Sequence, residues 1–208
     1  MTETVSHPIF ARVLDRTCPA MEREVGPLRD ELLAGLSGRV VEVGAGNGAS
    51  FAHYPPAVET VIAVEPEPYL RAKAGENARA AKLPVEVHDA FAGALPLEDA
   101  SVDAGVVSQV LCSVPDPATA IGELRRVVRP GGEIRFLEHV RSGGARKARV
   151  QRSLDAWLWP RLAGGCHCGR DTVAALEAAG LRIESMRTLA VGPSWMHTNP
   201  HVLGRAIN

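Results

Sequence analysis

The sequence predicts a three-layer α/β domain, built on a seven-stranded, mostly parallel sheet with an antiparallel C-terminal strand. After Gly38, short β-branched segments alternate with helical segments, which is typical of a parallel sheet with right-handed crossovers. The early strands are apolar on both faces, as expected when helices cover both sides of a sheet. The last two strands are joined by a loop too short for a helical crossover, so we expect them to pair antiparallel.

The chain is long enough for one domain. Its first two parts are a helical cap and the core of the sheet. Residues 1–38 are predicted to form a helical cap of two or three short helices, because Pro19 and Gly26-Pro27 interrupt an amphipathic pattern. The core, residues 39–140, contains the predicted strands 39–43, 60–64, 84–88, 102–110 and 133–140. Between these strands, candidate helices lie near 49–53, 67–81 and 117–129.

Residues 141–208 depart from this alternation and are assigned to the acceptor side of the domain. Residues 141–152 are predicted to be a basic, glycine-containing connection, which a helical stretch with Trp157 and Trp159 follows. The segment 170–180 predicts a helix that stops at Gly180. Two strands, 181–191 and 201–208, then form the C-terminal hairpin.

Composition and charge exclude several classes of protein. Lys and Arg number 23 against 24 Asp and Glu, and a formal net charge of −1 gives no general attraction to nucleic acid or anionic membranes. No apolar run approaches the roughly 18 residues of a membrane helix, and the first residues do not resemble a signal peptide. The four cysteines, Cys18, Cys112, Cys166 and Cys168, form no spaced framework. We therefore expect a cytoplasmic protein without nucleic-acid or membrane partners; the oligomeric state stays open.

The segment VVEVGAGNGASF, residues 40–51, combines an acid with alternating glycines. Gly44, Gly46 and Gly48 would let the first strand turn sharply into a helix while the backbone approaches a ligand. The spacing G-x-G-x-G differs from the G-x-G-x-x-G of dinucleotide sites. Glu42 precedes the turn, where it could anchor loop amides or attract a cationic ligand group, whereas it would repel a pyrophosphate.

Two further acids end the next two strands. Glu65 could accept both hydrogen bonds of a ribose diol, which a nicotinamide cofactor would also require. Asp89 could receive an exocyclic adenine amine, with Ala90 and Phe91 close to the ring. An adenosine with a cationic amino-acid tail and no obvious phosphate site describes S-adenosylmethionine.

Several segments resemble successive signatures of the class I S-adenosylmethionine-dependent methyltransferases. They are VVEVGAGNG, VIAVEPEP, HDAFAGALPLEDASVDAGVVSQVLCSV and RVVRPGGEIRFLEHV, and the resemblance runs from about residue 38 to the C-terminus. Within this superfamily, QVLCSVPDP, LEHV, GGCHCGRDT and SWMHTNPHVLG are similar to the methyltransferase-like 7 group, whose members methylate thiols. The sequence differs from the membrane-bound animal members of that group, since no hydrophobic N-terminal anchor is visible in it.

The resemblance implies a Rossmann-like methyltransferase fold and a set of donor-binding positions. Glu42, Gly44, Ala45, Gly46 and Gly48 would surround the methionine moiety, and Glu65 would hold the ribose beside the turn at Pro66. Asp89 and Ala90 would lie by adenine, with Phe91 adjacent. Ser108 and Gln109 would offer backbone groups near the methionine ammonium.

The acceptor should bind beyond the carboxyl ends of the strands and near the C-terminal loops. His139 is the leading candidate to orient or deprotonate the acceptor, although a histidine bonded to a neighbouring loop would look the same in sequence. Asp89 could contribute electrostatically as a second catalytic candidate. The remaining candidates, each with a structural alternative, are Trp157, Trp159, His167, Trp195 and His197.

The cysteines and the basic run favour structural interpretations. Cys166-His167-Cys168 resembles a metal motif, but adjacent residues do not all turn inward easily and no second pair lies nearby in sequence, so no metal is expected. Cys112 is expected to be a buried filler. The basic run 141–152 is expected to be a solvated loop or part of a mobile lid.

These observations lead to a hypothesis of function with three alternatives. The leading hypothesis is transfer of a methyl group from S-adenosylmethionine to the thiol of a small molecule by direct displacement. A methyltransferase acting on oxygen, nitrogen or carbon of a metabolite or quinone is the nearest alternative. A nicotinamide-dependent oxidoreductase and a non-catalytic adenosylmethionine-binding protein belong to other classes.

Overall fold

The number of strands and their directions follow the predicted pattern. The computed structural model describes residues 7–208, so the first six residues of the predicted cap lie outside the described range. The strands are β1 (Gly38–Val43), β2 (Val58–Val64), β3 (Val85–His88), β4 (Val102–Ser108), β5 (Val128–His139), β6 (Arg182–Ala190) and β7 (Pro200–Ile207). They form one seven-stranded sheet in the order β3-β2-β1-β4-β5-β7-β6.

The pairing of the strands confirms a mostly parallel sheet with an antiparallel C-terminal strand. Strands β1 to β5 pair parallel with one another, and β7 pairs antiparallel with both β5 and β6. The chain first builds outward from β1 to β3 and then returns to place β4 on the other side of β1. Ligands of open α/β sheets bind at such a switch point, beyond the carboxyl ends of the strands. This edge of β1 and β4 is therefore where a site is expected.

Helices cover both faces of the sheet. They are α1 (Pro8–Leu33), α2 (Pro68–Ala80), α3 (Pro117–Val127), α4 (Ala145–Trp157), α5 (Trp159–Leu162) and α6 (Thr172–Ala178), with a 3₁₀ helix at Ala49–His53. Neighbouring residues of β1 enter different cores: Val40 joins Leu33 and Phe51, whereas Val41 joins Ile121 and Leu124. Among the described residues, no helix has an apolar stretch long enough to cross a bilayer.

The predicted break-up of the cap is wrong, because α1 is one helix that contains both Pro19 and Pro27. A proline inside a helix costs about 3 kcal/mol. Val25, Leu32 and Leu33 in the second half of α1 are buried against the core, and this burial favours a continuous helix over a break.

The predicted irregular connection over 141–152 is also wrong from Ala145 onward, where α4 begins. Gly144 is the N-cap, and the following Ala, Arg, Lys and Gln residues have high helix propensity. Gln151 of α4 is fully buried and donates from Nε2 to the carbonyl oxygens of Val140, Cys168 and His197. These bonds attach α4 to the end of β5 and to two loops.

Candidate functional site

The glycine turn joins the carboxyl ends of β1 and β2. The N–H groups of Gly44 and Ala45 both donate to the carbonyl oxygen of Val64, at 2.8 and 3.1 Å. Gly44 has φ of 69°, and a Cβ added there would lie 2.5 Å from a methyl carbon of Val110. Only glycine therefore lets the turn approach the loop that follows β4.

Glu65 connects this turn to the end of β2. Its Oε2 accepts from the N–H of Gly46 at 2.8 Å, and its Oε1 accepts from the N–H of Glu67 at 2.9 Å. Burial raises the pKa of Glu65, and the two backbone donors oppose that shift. A carboxylate offers about four acceptor positions, so each oxygen can also accept one hydroxyl of a ribose diol. The structure thus brings Glu65 to the glycine turn, with Pro66 next to it.

Glu42 is buried beneath the same turn. Its Oε2 accepts a hydrogen bond from the hydroxyl of Tyr54 at 3.0 Å. Burial raises the pKa of Glu42 to about 7, while its hydrogen-bonding neighbours and the charges of Arg29 and His53 oppose the shift. Two roles were considered for Glu42, anchoring the loop and attracting a cationic ligand group. The structure shows that Glu42 anchors the segment after the turn, through Tyr54.

Asp89 lies at the exposed end of β3, where Arg71 binds it. Asp89 Oδ2 is 2.9 Å from Arg71 Nη2, and Arg71 Nη1 donates to the carbonyl oxygens of Glu65 and Pro66 at 3.0 and 2.8 Å. Arg71 therefore connects the ends of β2 and β3. Sequence reasoning missed it, although a cation in the helix that follows the Glu65-Pro66 corner was a usable signal. Ala90 is buried next to Asp89, and Phe91 makes an isolated bridge with Ala94.

The helical cap contacts the glycine turn directly. Asp15 of α1 accepts from Asn47 Nδ2 at 3.0 Å and from the hydroxyl of Tyr69 at 2.9 Å. These bonds lower the pKa of Asp15, and the bond from Asn47 has the largest effect; burial acts in the opposite direction. Helix α1 thus covers the turn and the first residues of α2, a contact that the sequence analysis did not anticipate.

Substitution of Gly46 should separate ligand binding from folding. Gly46 and Gly35 have φ of 58° and 76°, and a Cβ at either position meets no protein atom within 4 Å. Alanine at either site should destabilise the fold by about 1 kcal/mol from backbone strain alone. Only Gly46→Ala, inside the turn, should also weaken adenosylmethionine binding, measured by calorimetry beside thermal unfolding of both variants. Equal donor affinity in Gly46→Ala and Gly35→Ala would contradict a ligand cradle at this turn.

The loop after β4 is held by two side chains from the other half of the sheet. Gln109 adopts φ of 59°, rare outside glycine, and its Nε2 lies 3.0 Å from His201 Nε2. His201 Nδ1 is 3.0 Å from the carbonyl oxygen of Asn199, which can only accept, so Nδ1 carries the proton and Nε2 accepts from Gln109. Burial lowers the pKa of His201 to about 4, so the ring is neutral near pH 7.

Glu138 binds the backbone of the same loop. It is fully buried, and its carboxylate accepts from the N–H groups of Val110, Leu111 and Cys112 at 2.8, 3.0 and 3.4 Å. Burial raises the pKa of Glu138 to about 7, against these three donors. The carboxylate is directed into the loop, and its role is to fix the backbone between Gln109 and Cys112.

His139 lies beside this loop at the end of β5. Its ring centroid is 4.3 Å from that of His201, its partner in the antiparallel register, and Nδ1 is 3.4 Å from Cys112 Sγ. Asp89 ends β3, four strands away, which at about 4.8 Å per strand is roughly 19 Å. The two sequence-predicted catalytic candidates are therefore not brought together. Sequence reasoning also missed His201, because only the register of β5 and β7 places it against His139.

The other acceptor-side candidates lie in three different settings. Trp157 and Trp195 are 76% and 82% exposed, so neither lines a closed pocket here. Trp159 packs against the buried cysteines and makes an edge contact with the ring of His197, centroid to centroid 4.3 Å. His167 turns away, with Nδ1 2.7 Å from the carbonyl oxygen of Gly165.

Comparisons with known proteins agree with this arrangement. A family model described as a methyltransferase domain matches residues 41–136. Thiol S-methyltransferase TMT1B of Mus musculus is 32% identical over 96% of this chain and 85% of its own length. Thiol S-methyltransferase TMT1A of Homo sapiens is 33% identical over 84% of this chain and 73% of its own length.

A solved structure shares the fold. The S-adenosylmethionine-dependent methyltransferase of Thermotoga maritima, described as a possible histamine N-methyltransferase, superposes with a TM-score of 0.68 at 21% identity. The match covers 96% of this chain and 97% of that protein.

The chain belongs to the class I S-adenosylmethionine-dependent methyltransferases, in the group that contains TMT1A and TMT1B. S-adenosylmethionine is its methyl donor. The residues present fit this donor, because the glycine turn leaves open space at Gly46 and Glu65 ends the adjacent strand. This membership excludes the alternative hypothesis of a nicotinamide-dependent oxidoreductase.

Proposed function

We propose that this enzyme transfers the methyl group of S-adenosylmethionine to the sulfur of a small-molecule thiol by direct displacement. The observation that carries the proposal is the similarity to TMT1B, a thiol S-methyltransferase, over nearly the whole chain. The similarity includes the acceptor-side loops, which usually determine specificity on a shared fold.

The donor site of this proposal uses the positions named from the sequence. Glu65 accepts the ribose hydroxyls while it holds the amide of Gly46. The turn from Gly44 to Gly48, with Ala45 on it, surrounds the methionine moiety, and backbone groups of Ser108 and Gln109 receive its ammonium. Asp89, Ala90 and Phe91 lie by adenine, and Arg71 orients Asp89.

A thiol acceptor needs little catalytic assistance from the acceptor side of the site. Bound S-adenosylmethionine supplies a methyl group that its sulfonium already makes electrophilic. A free thiol has a pKa of about 8.5, so a few per cent is thiolate near neutral pH and little base assistance is needed. Glu138 is committed to backbone amides and His201 to Gln109, which leaves His139 to contact the acceptor. Alignment in a site shielded from water can contribute on the order of 7–11 kcal/mol.

The test is an acceptor panel with matched nucleophiles. Purified protein with S-adenosylmethionine would be incubated with benzenethiol, phenol and aniline, and with an aliphatic thiol, alcohol and amine. We expect methyl thioethers and S-adenosylhomocysteine from the thiols alone, detected by mass spectrometry. Turnover of the phenol or the amines with untouched thiols would replace this proposal with O- or N-methylation. Tight donor binding without any product would indicate a non-catalytic binding protein.

A further inference from the structure

Three side chains from distant parts of the chain converge beside the loop after β4. Cys112 Sγ lies 3.6 Å from Cys166 Sγ, and His139 Nδ1 lies 3.4 Å from Cys112 Sγ and 3.8 Å from Cys166 Sγ. All three atoms lie within 4.8 Å of one another. From sequence no metal was expected here, because no second pair of ligands lies near Cys166 and Cys168 along the chain. The fold supplies Cys112 and His139 instead of His167.

These distances match three edges of a zinc tetrahedron. With Zn–S bonds of about 2.3 Å and Zn–N bonds of about 2.0–2.1 Å, tetrahedral angles place two sulfurs about 3.8 Å apart and a sulfur and nitrogen about 3.6 Å apart. Each observed separation differs from its ideal value by about 0.2 Å. The three protein atoms are thus spaced as zinc would require without rearrangement of the backbone.

The chemistry of the three ligands also suits zinc. Two thiolates offset the charge of a divalent cation, which a site with buried Cys112 and Cys166 needs. Neighbouring groups hold the ligands in place, as around most metal sites. The carbonyl of Cys112 accepts from the N–H of His167 at 2.8 Å, and the ring of His139 packs at a tilt against that of His201.

The fourth position of the tetrahedron is where an external ligand could bind. Cys168 Sγ is 3.4 Å from Cys166 Sγ, but it does not belong to the group of three mutually close ligands. Within residues 7–208, Trp159 Nε1 and His197 Nε2 are buried ring nitrogens without a hydrogen-bond partner. Trp159 packs against these cysteines, and its ring makes an edge contact with the ring of His197. Zinc sites with three protein ligands and one open position are those that bind substrate.

The cysteine group is close to the predicted donor site. Val110 contacts the glycine turn at Gly44, and Cys112 follows two residues later in the same loop. Two residues span at most about 7 Å. Cys112 therefore lies on the same short loop segment that borders the glycine turn.

We propose that Cys112, His139 and Cys166 form a zinc site whose fourth position takes the thiolate of the methyl acceptor. The second half of this statement rests on the proposed function. The acceptor thiol releases its proton to solvent on binding. Its sulfur forms the new bond to the methyl carbon as the bond from that carbon to the sulfonium breaks, and the electron pair stays on S-adenosylhomocysteine. The product thioether is a weaker ligand than a thiolate and leaves the metal.

Metal binding is tested on the full chain, stripped with a chelator and reloaded with Zn²⁺ or Co²⁺. We expect one metal per chain, and a Co²⁺ spectrum with thiolate charge-transfer bands and tetrahedral d–d bands. Cys112→Ser and Cys166→Ser should lose the metal, and His139→Ala should bind it more weakly. Cys168→Ser and Cys18→Ser are matched thiol controls that should keep it. Circular dichroism separates loss of a ligand from loss of the fold.

The outcomes distinguish the two proposals. Wild type that binds no zinc or cobalt overturns the site, and loss of metal in Cys168→Ser overturns the open fourth position. Benzenethiol should change the charge-transfer bands of the Co²⁺ protein, whereas phenol should not; an unchanged spectrum overturns the acceptor role. If metal-free protein methylates benzenethiol as fast as the zinc form, this inference fails and thiol methylation stands. If neither form methylates any thiol, the proposed function fails while metal stoichiometry still reports on the site.

Discussion

Glu65→Ala is expected to weaken S-adenosylhomocysteine binding by about 100-fold, because two hydroxyl hydrogen bonds to a carboxylate are worth about 1.5 kcal/mol each. The same substitution removes the acceptor for the Gly46 and Glu67 amides, so the glycine turn also loses its support from β2. Isothermal calorimetry with S-adenosylhomocysteine measures the change directly.

Glu59→Ala provides the matched control for this experiment. Glu59 lies on the same strand, β2, but its side chain is exposed at the opposite end from Glu65. Its removal should leave the dissociation constant unchanged. Wild-type affinity in Glu65→Ala would show that the ribose is held elsewhere.

Glu138→Ala is expected to cost on the order of 3–5 kcal/mol of unfolding free energy, because it leaves three buried backbone N–H groups without an acceptor. For a chain of this size, each kcal/mol shifts the melting temperature by about 2–4 °C. A decrease of roughly 6–20 °C should therefore appear in thermal unfolding. Chemical denaturation would give the free energy itself.

Glu133→Ala, on the same strand, is the control for this prediction. It removes an acid that is partly exposed, so it shows whether burial or loss of a charge causes the destabilisation. Glu133 is partly exposed and pairs with Arg135 at 2.7 Å and Arg205 at 3.9 Å. Surface pairs of this kind contribute about 0–1 kcal/mol, so the variant should unfold close to wild type. Equal destabilisation by the two substitutions would contradict the role assigned to Glu138 in holding the loop.

The parallel half of the fold was predictable from sequence because its signals are local. Each core strand is a short β-branched segment between helical segments, and the crossover rule then sets direction. The short connection before β7 likewise predicted antiparallel pairing, which the structure confirms. The course of α1 was not predictable in this way, since burial of Leu32 and Leu33 depends on the completed sheet.

The candidate site was predictable only where strand ends carry the signal. The glycine turn and Glu65 could be placed because both end adjacent strands. The grouping of Cys112 with Cys166 could not be, since 54 residues separate them and a loop after α5 must fold back to join them. The same holds for His201, which reaches His139 through the register of β7. Periodicity and spacing do not encode such long-range contacts.

The position of β7 has a consequence for synthesis of the protein. Strand β7 is made after β6, yet it lies between β5 and β6, and its residue His201 packs against His139. Until β7 has left the ribosome, β5 presents an unpaired edge and β6 has no neighbour through which to join the sheet. Nascent chains that stop short of β7 should therefore expose an unpaired strand edge to chaperones and proteases. The contacts of His201 with His139 and Gln109 can form only once translation has passed this strand.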